Sequence, residues 1–248
     1  MRFIWEERLN EAMTTYRVES VEILHKLFSC HSSQDGFGFW FRGQANSSWE
    51  LLPASGREEY LLPKDNNRDL GRCSEWERSA VAMTDLSDSF IETLSIAQHH
   101  GLATRLLDWT LNPLVACFFA VASEPEQDAT LYILEAISIQ HHAKSSLTKE
   151  QLERYEGVLC YQPKAINRRL ISQKGLFTIH CPPNAPFPVF RSVFSHENTM
   201  VKRYIIPADL KADIRKMLDN YGVNEATLFP DLDGLARYVN RKTREMKY

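Results

Sequence analysis

The stretch from Gln98 to Ala120, QHHGLATRLLDWTLNPLVACFFA, sets two histidines, an arginine, an aspartate and two threonines beside an almost unbroken apolar run. Charge next to a core costs free energy unless specific partners offset it, so Arg105 and Asp108 beside Leu106, Leu107 and Trp109 mark this junction as a candidate site. Arg42, in FRGQ, carries a planar fork suited to a phosphate or carboxylate, and Gly43 lets backbone or ligand approach closely, with Gln44 next along the chain. The same fork could pair with a carboxylate such as Asp108 and only brace the fold. Gln98, His99 and His100 precede Gly101 at an expected helix C-terminus, where a protonated imidazole is favoured. Adjacent side chains diverge, so one of the two histidines is expected to face the same cleft as Arg42. Strand alternation in TRLLDWT puts Thr104, Leu106, Asp108 and Thr110 on one face and Arg105, Leu107 and Trp109 on the other. Asp108 and Thr110 either share a cleft or cap the following helix while Arg105 braces a neighbour; Trp109 is either core or a stacking wall. Arg169 and Gln173 stand four apart in RRLISQKGLF. The Gln173 amide can position a hydroxyl or water but cannot take a proton as a carboxylate does.

Other chemistries are excluded by what surrounds these residues. No GxGxxG, P-loop or GxSxG pattern occurs. Cys30, Cys73, Cys117, Cys160 and Cys181 are odd in number, widely spaced and never in CxxC, so they are read as reduced thiols, and no metal is expected; His141 and His142 sit in a polar surface-like segment. With 29 basic and 32 acidic residues in 248, the net charge of −3 gives no field for nucleic acid, and no carboxylate cluster suits two metals. The N-terminus carries charges throughout and no run reaches the roughly 18 apolar residues of a membrane span, so a cytoplasmic protein without membrane association is expected.

The elements that must position these residues follow from periodicity and punctuation. Residues 20–28 read as a short helix with Ser20 as N-cap, FGFWFRGQ as an aromatic strand, and 74–101 as a helix with one break that delivers Gln98 and the histidines. Residues 103–109 suit a central strand, Asn112 and Pro113 a helix entry, LVACFFAVAS a buried helix, and ATLYILEAI a strand. Residues 138–161 are expected to form an inserted helical excursion. RRLISQKGLFTIHCPP reads as a second strand block closed by prolines, followed by a strand TMVKRYIIP, a helix from Ala208 to Tyr221 capped by Gly222, and a last helix near LFPDLDGLARYV, where Asp231 and Asp233 are helix-start residues. Interleaving without a βαβ rhythm predicts an α+β fold with mixed, mainly antiparallel sheets and flanking helices, in one domain over 1–248.

Taken together, FRGQ, WELLP with a later arginine, QHHGLATRLLDWTLNPLVACFFA, RRLISQKGLF and LFPDLDGLA resemble the FRG domain, a bacterial and phage-associated family named for Phe-Arg-Gly; the likeness covers roughly 20–240. A more distant resemblance is to ADP-ribosyltransferases. Arg42, Thr110 with VACFFA, and Gln173 of QKGLFTIHCPP match, in order, that family's strand-end arginine, its hydroxyl-bearing strand before a vAxxFA helix, and its strand-opening glutamate. This likeness implies an ADP-ribosyltransferase-like fold and NAD or a related nucleotide as ligand or substrate. Arg42 would bind it, Thr110 and Asp108 orient it, Gln173 face the reacting ribose, and His99 or His100 touch ribose or phosphate. It also implies transfer to a macromolecular acceptor, in phage defence or toxin action. Glutamine stands where that family has glutamate, which leaves cleavage to another carboxylate, such as Asp108 or Glu197. A non-catalytic nucleotide- or anion-sensing module is the alternative.

Overall fold

The computed structural model describes residues 13–31, 38–62, 65–136, 139, 142–164, 168–185, 187 and 201–246, without the side chains of residues 168 and 169. Its centre is a sheet of seven strands among those residues: β1 (Met13–Arg17), β2 (Phe39–Gln44), β3 (Leu106–Thr110), β4 (Ala129–Glu135), β5 (Gly157–Tyr161), β6 (Gly175–Cys181) and β7 (Val201–Ile206). Their order across the sheet is β1-β7-β4-β2-β3-β6-β5, with β1 parallel to β7 and every other pair antiparallel. The α+β architecture expected from the sequence is therefore present.

Each face of this sheet is covered. On one side α4 (Pro113–Val121) joins α1 (Val21–Cys30) and α7 (Lys211–Asn220) over a core that includes Leu24, Phe41, Phe118, Leu131, Ile206 and Ile214. Across from it Trp40, Leu107, Trp109, Tyr132 and Phe187 pack together. Beyond β3, α2 (Arg68–Ala80) and α3 (Phe90–His99) cover Leu106, Phe177 and Ile179. All seven residues of β4 are buried because the strand is central and covered on both sides, so its sequence alternation has no solvent face to match.

Local chemistry explains why α4 starts where it does. The Asn112 side chain accepts from the Leu114 N–H at 3.0 Å and Pro113 takes the first turn, where it forfeits no bond. Ser20 holds the N-cap position of α1 without a capping side-chain bond, whereas Ser89 caps α3 through the Glu92 N–H. The expected broken helix over 74–101 is α2, which begins earlier at Arg68, and α3.

Two expectations need correction. The block RRLISQKGLFTIHCPP is not strand throughout: Arg168–Gln173 form a short helix, α6, and β6 begins only at Gly175, after Lys174 turns the chain at φ 46°. The excursion over 138–161 is not simply helical. Among its described residues it holds one helix, α5 (Lys149–Arg154), with a Thr148 and Gln151 capping box, and ends in β5, the edge strand paired to β6. At the C-terminal end, a 3-10 turn over Ala208–Leu210 precedes α7, Gly222 turns at φ 72°, and α8 (Glu225–Leu228) intervenes before α9 (Leu232–Glu245), whose N-cap is Asp231. Among the described residues no helix is long and apolar enough to cross a membrane.

Candidate ligand-binding cleft

Strands β2 and β3 pair at a single position, Phe41 opposite Thr110, although β2 is laddered to β4 over six residues and β3 to β6 over five. Past that pair the two strands part. Arg42 closes the parting: its Nη1 donates to the backbone carbonyl of Asp108 at 2.8 Å, where a continued antiparallel ladder would use a backbone N–H. A cleft of about 430 Å³ opens beside this seam.

The cleft carries two arginines, Arg42 and Arg57, with Asp108 as the acidic residue of its described lining. Burial pulls the Arg42 guanidinium below the ordinary arginine value, Asp108 acts in the opposite direction, and Arg57 adds to the lowering. Arg42 Nη1 lies 3.8 Å from Asp108 Oδ2, while the Asp108 side chain is 64% exposed, so the ion pair is loose. Arg42 Nε is buried without a partner. This is a desolvated cation only partly compensated, and an anion in the cleft would complete it. Arg57, exposed where its 3-10 turn ends, has no side-chain partner among the described residues.

Further unpaired polar atoms belong to the same wall. Gln44 Oε1, Ser95 Oγ and Gln98 Nε2 are buried without partners, and all three residues line the cleft. Buried polar groups in folded proteins are nearly always bonded, so several orphans around one cavity point to a ligand. Trp49, Phe119 and Phe177 supply aromatic surface.

Of the residues singled out in the sequence, Arg42, Gly43, Gln44, Gln98, His99, Asp108, Trp109, Thr110 and Gln173 line this cleft. Several of them are committed elsewhere. Thr110 Oγ1 donates to the Gln173 carbonyl at 2.6 Å and accepts from the Asn112 N–H at 3.0 Å, which fixes the turn between β3 and α4. Gln173 Nε2 donates to the Leu228 carbonyl at 3.1 Å, beside Ser172 Oγ at the same distance. Trp109 is core, with its indole N–H donating to Thr178 Oγ1 at 3.0 Å. Behind it His180 is buried: its Nδ1–H donates to the Ala185 carbonyl at 3.0 Å, and its Nε2 accepts from Thr178 Oγ1 at 3.1 Å. Burial, helped by the charge of Arg42, pushes the His180 imidazole down to about 4.

Gly43 serves packing. A Cβ there would stand 1.9 Å from the Ala116 carbonyl oxygen and 2.6 Å from the Ala120 nitrogen, so the missing side chain is what seats α4 on β2.

Three candidates fall outside the cleft. Arg105, expected at the ligand, is fully buried and grips Asp69 through two bonds of 2.8 and 2.7 Å, with Asn67 Oδ1 at 3.0 Å and Cys181 Sγ at 3.2 Å. It braces β3 against the N-terminal turn of α2. Thr104 is equally buried, donating to Gln98 Oε1 and accepting from the Leu106 N–H. His100 is exposed and off the lining, its ring 5.1 Å from that of His99. The side chain of Arg169, like Glu197, lies outside the described residues, as does His141. No group of three or more potential metal ligands occurs among the described residues.

Sequence reasoning passed over Arg57, Trp49 and Ser95. The first two belong to WELLPASGR, quoted above only for its resemblance. Ser95, Gln98 and His99 repeat at helical spacing, so one face of α3 could have been read as a unit.

Residues 38–129 match the family model of the FRG domain. The likeness to the FRG domain is thereby borne out over that segment. Neither the comparison with curated proteins nor that with solved structures gives a match. Phe41, Arg42 and Gly43 are the Phe-Arg-Gly of its sequence, and the matched FRG segment runs from the turn before β2 to the first residue of β4. It therefore contains both cleft arginines and Asp108, whereas Gln173 lies beyond it.

Proposed function

We propose that the cleft of the FRG domain binds a nucleotide-type ligand, NAD or a relative, through its phosphates. The observation that carries this reading is the pairing of Arg42, desolvated and with an unpartnered Nε, with the uncommitted Arg57 in one cleft. Trp49, Phe119 and Phe177 add surface on which a planar ring can stack. Calorimetry with NAD, ADP-ribose and nucleoside mono- and diphosphates tests it. Arg57→Ala, at an exposed position, should weaken binding at least tenfold with unfolding stability unchanged within about 0.5 kcal/mol. Absence of binding by all of these ligands to the wild-type protein refutes it.

A second reading, cleavage or transfer at the ribose, is favoured by Asp108. Its exposed carboxylate lines the cleft beside Arg42 and can stabilise positive charge developing at a ribose carbon, a role closed to the neutral amide of Gln173. Nicotinamide release or a modified macromolecular acceptor, abolished in Asp108→Asn while binding persists, would establish turnover of the kind a toxin or phage-defence enzyme requires. Binding without turnover leaves the domain a sensor.

A further inference from the structure

A further cavity, of about 520 Å³, lies between the C-terminal end of α4 and helix α9, and it shares Phe119 and Ala122 with the cleft as a common wall. Its floor is aromatic: the ring centres of Phe118, Phe119 and Phe229 stand between 5.5 and 6.3 Å from one another. Its rim is basic. Arg237, Arg241 and Arg244 follow intervals of four and three along α9 and so share one face of that helix.

The charges around this groove do not balance. Among the described residues its ion-pair network contains three carboxylates, Asp219, Glu225 and Glu245, and all are taken. Arg241 donates to Asp219 at 2.8 and 2.7 Å, to both oxygens of Glu225 at 3.1 Å, and to Glu245. Lys242 pairs with Asp219 and Glu245 at 3.4 and 3.8 Å, and Arg215 Nη2 donates to Glu225. Arg215 is still left short: its Nε and Nη1 are buried without a partner, and its guanidinium lies 4.5 Å over Phe118. Burial pulls that guanidinium below the ordinary arginine value; Glu225 opposes the shift and Arg241 adds to it. Arg237 and Arg244 have no carboxylate among the described residues. Arg237 lies 4.5 Å over the Phe229 ring, which offers no lone pair to its N–H donors, and Arg244 Nε reaches the Asn240 carbonyl of its own helix at 3.4 Å. Two guanidiniums in excess, above an apolar aromatic floor, call for a ligand that is anionic at one end and planar at the other.

We propose that this groove is a second ligand site, which takes the phosphate of a monophosphate ester between Arg237 and Arg244 while the ester's ring system, aryl or nucleoside, rests on Phe119 and Phe229. Charge selects the phosphate. A phosphate monoester carries about −1.5 to −2 at pH 7, which matches the two unpaired cations, whereas a carboxylate would leave one of them over. Arg237 and Arg244 stand about 10.5 Å apart along the helix at 1.5 Å per residue, and their long side chains let both forks turn on one group. The site does not depend on what the cleft binds.

The test is calorimetric titration of the full chain carrying Arg57→Ala, so that the cleft contributes least, with phenyl phosphate, AMP and inorganic phosphate. At least one of the two esters should bind saturably in the micromolar to millimolar range and at least tenfold more tightly than inorganic phosphate, and which of them does so separates an aryl from a nucleoside ligand. Adding Arg237→Gln with Arg244→Gln should weaken that ester at least tenfold with the melting temperature unchanged. Arg244→Glu, at an exposed position, should do the same without touching the Phe229 contact. Failure of both esters to bind, binding indifferent to both groove variants, or inorganic phosphate binding as tightly as the esters overturns the proposal. None of these results bears on the cleft, which is read by Arg57→Ala against wild type.

Discussion

Replacing Gly43 by alanine isolates the role of the motif's glycine, which could serve either a ligand or a helix. The added Cβ would lie 1.9 Å from a carbonyl oxygen of α4 and 2.6 Å from a backbone nitrogen one turn later, against the 3.0 Å below which real contacts essentially never fall. Both obstacles are main chain, so no rotamer change relieves them. The helix must move by about 1 Å in an interior packed to near-crystalline density. Overpacking of this kind costs about 1–3 kcal/mol, and a rigid backbone obstacle places Gly43→Ala at or above the upper end. The displaced helix bears Val115, Ala116, Cys117 and Phe118 of the core, so the cost spreads through the face shared with α1 and α7. For a domain of this size 3 kcal/mol corresponds to a fall in melting temperature of about 6–12 °C. Urea titration followed by tryptophan fluorescence, with thermal melts by circular dichroism, measures it. A Gly43→Ala protein as stable as wild type but unable to bind the ligand would refute the packing account and return the glycine to the ligand.

The His180 imidazole, held at about 4 by burial, is neutral in the fold and charged in the unfolded chain between that value and the ordinary 6.5. Its contribution is complete above pH 6.5 and is lost progressively as pH falls to 4, amounting to about 3 kcal/mol. His180→Leu should flatten the pH dependence of the urea midpoint in that window by about one proton, and an unchanged slope would contradict the assignment. Asp69→Asn strips the counter-charge from the buried Arg105 and should cost about 3–5 kcal/mol in urea unfolding, whereas a loss under 1 kcal/mol would mean that water reaches the guanidinium. Lys211 is buried and donates to the carbonyls of Ala45, Ser123 and Glu124 at 2.7, 3.2 and 2.6 Å. Lys211→Met, which orphans those acceptors beside the cleft lining, should lower stability by about 2 kcal/mol or more and loosen ligand binding, both measurable on one sample by melts with and without ligand.

The parts of this fold that were legible in the sequence are those announced by local chemistry. Asn112 and Pro113 mark the start of α4, and the aromatic run before Gln44 marks β2, because caps and short apolar runs act within a few residues. Helix α6 was hidden for the same reason. Leu170 and Ile171 are separated from Leu176 and Phe177 by only four residues, and the one that turns the chain is Lys174, a residue type that does not announce a positive φ. Strand β5 was lost because five mostly buried residues at the end of a polar segment have no period to read. At the cleft, Arg42 and Asp108 were visible as residues that need partners, but whether each faces ligand or protein is settled at long range. Arg105 looked equally costly, and its partner Asp69 sits 36 residues upstream on helix α2. Arg57 showed nothing unusual in sequence, since an exposed arginine becomes informative only once a second one is found across the same cavity.

The guanidinium of Arg42 takes the place of a rung in the ladder between β2 and β3, on the acceptor that a backbone N–H would otherwise fill. On the proposed reading, strand cohesion and anion capture fall to one side chain. Whatever anion grips Arg42 must also stiffen the middle of the sheet, and whatever opens that seam must release the anion. Amide exchange at the edges of β2 and β3 will therefore report occupancy of the cleft, and no substitution at Arg42 can silence binding while leaving the sheet untouched.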